Sequence, residues 1–74
     1  MVGQNRYLMT KLFNTGDLVR IPQGVTLYSG NSYVVLDKQK YGIFHKMLRD
    51  DVAEIIFDDN GWEVGVESIY EGGI

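Results

Sequence analysis

An all-β fold, a small and strongly bent barrel of about five short strands, is what this sequence predicts, and three observations lead there. The chain has 74 residues and no cysteine, so one compact core must hold it without disulfides or thiolate metal sites. Short runs rich in β-branched and aromatic residues follow one another at close spacing, punctuated by nine glycines. Asn60-Gly61 stands between two alternating apolar runs, the strongest short-range hairpin signal, because a type I′ turn needs positive φ at both central residues. So few strands cannot cover both faces of a sandwich, whereas a sheet curled on itself encloses its own core.

Residues 1–12 read as a mixed, weakly patterned N-terminal arm, with a short helix over Arg6–Phe13 as the competing reading. Met9 is a second plausible start, which would make residues 1–8 an upstream extension. Residues 13–74 read as the barrel domain. Its first strand, "DLVRI", places Val19 and Ile21 on one face and Leu18 and Arg20 on the other. Pro22 ends it, since proline has no N–H to give to a ladder. "QGVTLYSGNS" follows as a loop with an extended middle, broken at Gly24 and Gly30. Strands are expected over Tyr33–Asp37 and Tyr41–Leu48, with Gly42 marking a bulge or a close backbone approach. "RDD" makes a turn into the strongest strand, Val52–Asp58, and Trp62–Ile69 returns from the Asn60-Gly61 turn.

That turn dictates a register. Asp59 should face Trp62, Asp58 should face Glu63, Phe57 should face Val64 and Ile55 should face Val66. One face then carries Ala53, Ile55, Phe57, Val64 and Val66 as core, with Asp59 and Trp62 at its tip. The other carries Glu54, Ile56, Asp58, Glu63 and Glu67 and is acidic. The apolar supply exceeds what one barrel interior holds. Leu18, Val34, Leu36, Phe44, Leu48 and Ile56 fall on faces opposite the core set, and Leu8, Met9, Leu12 and Phe13 lie outside the barrel. This surplus predicts a homo-oligomer, in contact through the N-terminal segment or the Tyr33–Asp37 strand.

The stretches "GDLVRIPQGVTLY", "YGIFHKM" and "VAEIIFDDNGWEVGVESIYEG" resemble the small SH3-like barrel proteins of tailed bacteriophages, especially those infecting marine cyanobacteria. The shared layout is a G-D-L-V opening strand, a loop, a "YGI" strand, a strand-turn-strand around W-x-V and a closing I-Y-E. The resemblance spans about Phe13 to Glu71. It implies an SH3-like barrel of about five strands and a phage source, and brings almost no chemistry with it. The "GDLV…G" opening is also similar to the KOW-type barrels of ribosomal and transcription proteins, whose basic loops this chain lacks.

No constellation of catalytic residues stands out. His45 is the single histidine, without a serine or aspartate at nucleophile spacing; sharing a strand face with Ile43 and Met47, it reads as a partly buried structural residue. Asp50-Asp51 and Asp58-Asp59 lack the spacing of a calcium loop and read as solvated turns. The acidic hairpin face is the better lead, because like charges placed opposite each other cost stability unless Lys38, Lys40, Lys46 or Arg49 compensates. Trp62 reads as a core lid or a binding anchor. Tyr28, Tyr33, Tyr41 and Tyr70 would make a stacking platform for single strands, but only "KQK" at Lys38–Lys40 supplies positive charge beside them.

The sequence therefore predicts a non-enzymatic protein-interaction module with no cofactor, no metal and no small-molecule substrate. Its partner-binding candidates are Glu54, Asp58, Trp62, Glu63 and Glu67. The partner is expected to be protein, a second copy included, and neither membrane nor nucleic acid. A net charge of −3 works against a sequence-independent grip on DNA, and no segment has the apolar length of a signal peptide or a bilayer span. The host cytoplasm, or the virion, is the expected location. The alternative is a KOW-like nucleic-acid-binding accessory protein using Lys38, Lys40, Lys46, Arg49 and the tyrosines.

Overall fold

A computed structural model describes residues 12–73, so the predicted N-terminal arm or helix lies almost wholly outside the described residues. Those residues form one antiparallel sheet of seven strands: β1 (Leu18–Ile21), β2 (Thr26–Ser29), β3 (Ser32–Val35), β4 (Lys40–Arg49), β5 (Val52–Phe57), β6 (Asn60–Gly65) and β7 (Tyr70–Glu71). A 3₁₀ turn at Val66–Ser68 separates β6 from β7. The order across the sheet is β3-β2-β6-β5-β4-β1-β7, and no ladder joins β3 to β7.

The all-β class is as predicted; the count of five strands is too low. The stretch expected to be a loop, "QGVTLYSGNS", contains β2, which pairs with β3 from Thr26↔Val35 to Ser29↔Ser32. Gly30, at φ +61, is the first central residue of the two-residue turn between them. That position suits glycine because it has no Cβ to clash. The glycine thus marks a hairpin turn. β3 itself ends at Val35, short of the expected Asp37.

β1 follows the alternation read from the sequence, with Val19 and Ile21 fully buried and Pro22 just beyond its end. β4 is long enough to pair with β1 through Lys40–Ile43 and with β5 beyond that. It bends at two irregularities, between Phe44 and Lys46 and between Met47 and Arg49. Gly42 makes the close approach expected of it. A Cβ there would lie 2.6 Å from Ile55 Cγ2 and 3.0 Å from the Ile56 carbonyl.

The core is Val19, Ile21, Leu27, Leu36, Phe44, Ala53, Ile55, Val64, Val66 and Ile69. Leu36 and Phe44 correct the sequence reading, which put them on outer faces. Phe44 has the inward parity of buried Gly42, and the first bulge of β4 comes only after it. Leu36 lies past the end of β3, where its N–H donates to the Val25 carbonyl and its carbonyl accepts from Gly24 N–H, turning the chain inward. Phe13 packs its ring 5.6 Å from Phe44 and is half-buried, so it belongs partly to the core. Full burial of a side chain such as Ile55 contributes about 1.5–3 kcal/mol, and several such residues sustain a domain of this size.

Candidate interaction surface

The β5–β6 hairpin does not turn at Asn60-Gly61. Its pairs are Phe57↔Asn60, Ile56↔Gly61, Ile55↔Trp62, Glu54↔Glu63 and Ala53↔Val64. The two turn residues are Asp58 and Asp59, at φ 54 and 65, and Asn60 Nδ2 donates to the Asp58 carbonyl at 3.1 Å. Aspartate enters the left-handed region more readily than most residues because its short polar side chain bonds locally. This register brings the Trp62 ring to 5.8 Å from Phe57 and packs it against the core, where the predicted one would have held it at the tip. Packing of Trp62 over the core, opposite buried Ile55, therefore outweighs the intrinsic turn preference of Asn-Gly. Because the turn moves by two residues, face assignments survive: Val64 is still buried, and Glu54 and Glu63 still point outward. Gly61 sits in a strand at ordinary φ, and a side chain there would meet Glu54 Oε2 at 2.8 Å.

Two glutamates, Glu54 and Glu63, now stand directly opposite each other on the outward face. Each has a basic side chain against it. The first bulge of β4 sets His45 beside Lys46 opposite Glu54, and His45 Nδ1 lies 2.8 Å from Glu54 Oε1. Arg49 Nη2 donates to Glu63 Oε1 at 3.2 Å. The compensation expected from neighbouring strands is present in Arg49, and His45 adds an unforeseen hydrogen bond to Glu54. His45, with 48 % of its side chain exposed, is an outward hydrogen-bond partner of Glu54 and not the partly buried residue predicted. Nor does Met47 share its face, for past the bulge Met47 pairs with buried Ala53.

The five predicted binding residues do not converge on one patch. Glu54 and Glu63 form the paired centre just described, and Asp58 lies in the exposed turn. Glu67 is on the 3₁₀ turn. Trp62 faces inward, half-buried, and its indole N–H is buried with no acceptor among the described residues. Beside it runs a groove of ≈ 380 Å³ between β3 and the β5–β6 turn, lined by the apolar Val34, Val35, Leu36, Phe57 and Trp62 and by the charged Asp37, Lys40 and Asp58.

What the outward face does bring together is apolar. Leu18 pairs with Ile43 and Ile43 with Ile56, so the three make a row across β1, β4 and β5. Their exposures are 43 %, 40 % and 36 %. Next to it Tyr41, Arg20 and Tyr70 form a second row, with the Arg20 guanidinium 4.9 Å from the centre of the Tyr70 ring. Leu18 and Ile56 were legible as outward apolar residues. Ile43 was missed and Tyr41 was read only as part of a stacking platform, although their alternation with Gly42 and Phe44 in "YGIF" is the signal that gives the outward pair away.

Among the described residues no three His, Asp or Glu side chains gather as a cation cage, and no helix is long and apolar enough to cross a membrane. No family model, curated protein or solved structure matches this chain.

Proposed function

We propose that this chain is a non-catalytic protein-interaction module built on an SH3-like barrel, encoded by a phage, with the outward row Leu18–Ile43–Ile56 as its contact surface. The observation that carries the reading is the exposure of three aliphatic side chains in one continuous cross-strand row. Contiguous exposed apolar patches mark association sites, since solvating them is unfavourable and covering them is not opposed by charge. The flanking Tyr41, Arg20 and Tyr70 suit the margin of such a contact, because tyrosine and arginine supply large, partly polar contact area. The barrel reading is supported by the chain layout: the closing "IYE" segment pairs with the opening "GDLV" strand, and the "YGI" strand and the W-x-V hairpin lie side by side between them and β2. The phage source rests on resemblance in the quoted motifs.

One observation favours the nucleic-acid reading as runner-up. Tyr28 and Tyr33 are cross-strand neighbours with ring centres 6.3 Å apart, a pair of exposed rings on which bases could stack. Tyr28 also pairs with Glu63, which puts negative charge beside that platform.

A single experiment addresses both. The immobilised chain and its Ile43→Glu variant are exposed to infected-host lysate, and a gel shift with duplex and single-stranded DNA is run at low and physiological salt. A protein retained by the wild type and lost by the variant is the expected result. Retention unaffected by Ile43→Glu overturns the assigned surface. Micromolar DNA binding with a steep salt slope overturns the module reading in favour of the nucleic-acid one.

A further inference from the structure

The margin formed by β3 carries a second surface, independent of the outward apolar row. β3 is the last strand of the sheet on its side, and nothing among the described residues pairs with its far edge. Which backbone groups that edge offers follows from the ladder. Leu36 N–H donates to the Val25 carbonyl, and pairs in an antiparallel ladder alternate between bonded and non-bonded. Counting back along Leu27↔Val34 and Thr26↔Val35, the N–H and C=O groups of Tyr33 and Val35 are the ones turned away from β2. The same two residues are 68 % and 52 % exposed.

Natural edge strands are guarded by charge, proline, a bulge or brevity. β3, "SYVV", contains no charge and no proline, and its register with β2 is regular. β7, at the opposite margin, has two residues, one of them Glu71. One margin is guarded and the other is open.

We infer that β3 pairs with β3 of a second copy of this chain, antiparallel about a two-fold axis through Val34, joining two sheets into one. The register that closes this symmetric contact sets Tyr33 opposite Val35 of the partner subunit, and Val35 opposite Tyr33 of the partner subunit. It uses the edge-facing N–H and C=O groups of both. On the outward face it stacks an aromatic ring against a β-branched side chain, a favourable cross-strand pair. On the inner face Val34, which lines the Trp62 groove, meets its own symmetry mate and covers apolar surface there. Shifting the register to bring Val35 opposite its own mate would bring Tyr33 opposite the charged Asp37, and the shift that brings Tyr33 opposite its own mate would leave Val35 opposite the turn residue Asn31, so only the register about Val34 pairs both edge-facing residues within β3. An isologous contact of this kind is closed and stops at a dimer.

The test is the mass of the full chain by light scattering from low to high micromolar concentration. It is run beside Val35→Pro and Tyr33→Lys, with amide exchange read residue by residue. Val35→Pro deletes an edge-facing N–H that the β2 ladder does not use, so the monomer fold survives it. The expected result is twice 8.4 kDa for the wild type and 8.4 kDa for both variants, with unchanged circular dichroism. Slowed exchange of the Tyr33 and Val35 amides, by about tenfold or more and reversed on dilution, is also expected. A wild-type chain that stays at 8.4 kDa at high micromolar concentration overturns the inference. A dimer that survives both variants overturns it too, since its contact then lies elsewhere. Neither outcome touches the Ile43 experiment, which tests the other surface.

Discussion

At one margin of the sheet β7 has only Tyr70 and Glu71 in its ladder, while at the other β3 offers four residues, yet the shorter strand is anchored at both of its ends and the longer at one. β7 follows Ile69, which is fully buried, and is followed by Gly72, whose N–H donates to the Leu18 carbonyl at 2.9 Å. Arg20 closes over the Tyr70 ring. β3 begins at the exposed Gly30-Asn31 turn and is anchored at its far end by buried Leu36; otherwise it is held by β2, which is joined to the rest of the sheet through the pair Tyr28↔Glu63 and the buried Leu27. Ladder length therefore does not rank the margins. Buried side chains at the strand ends do, because each contributes more than a solvent-exposed hydrogen bond contributes net.

The largest expected effect breaks the anchored margin. Ile69→Ala should cost about 3 kcal/mol, whereas Val34→Ala, half-buried in β3, should cost about 1 kcal/mol. Urea unfolding of the two variants decides it, and equal losses would remove the distinction between the margins.

A smaller loss, about 2 kcal/mol, is expected from Gly72→Val. A Cβ at that position meets the Val19 carbonyl carbon at 3.0 Å and Arg20 N at 3.2 Å, backbone atoms that cannot swing aside. Gly73→Ala, with nothing within 4 Å of the added carbon, is the control and should leave the unfolding midpoint unmoved.

The smallest effect sharpens the comparison. Arg20→Ala removes the cation over Tyr70 and should cost about 0.5–1 kcal/mol. The loss should appear as faster amide exchange in β7 with no change in β3, a pattern that a general weakening of the sheet would not give.

Much of this was legible from sequence because it depends on local patterning. The inward pair Val19 and Ile21, the stop at Pro22, the close approach at Gly42 and the inward face of the β5–β6 hairpin all follow from side-chain alternation and local sterics. The candidate surface was half legible. Leu18 and Ile56 were marked as outward apolar residues, but the row is completed by Ile43, and only strand neighbours from β1 and β5 make it a row.

The rest depended on contacts between residues distant in the chain. Asn60-Gly61 carries the stronger local turn preference, but with the turn at Asp58-Asp59 Trp62 stands opposite buried Ile55 instead of opposite Asp59 at the tip, and that burial wins. The hairpin of β2 and β3 was hidden because Gly30 reads the same in a loop and in a tight turn until Leu27 finds a core to enter. His45 became the partner of Glu54 through a bulge in β4, which no periodicity announces. Sequence by itself determined the all-β class and the inward or outward sense of most strand positions, since a period of two is written residue by residue. Tertiary structure decided the hairpin register, the strand count and the charge pairing. These are set by which side chains from different strands gain most from being buried or paired together, and one strand alone does not contain that information.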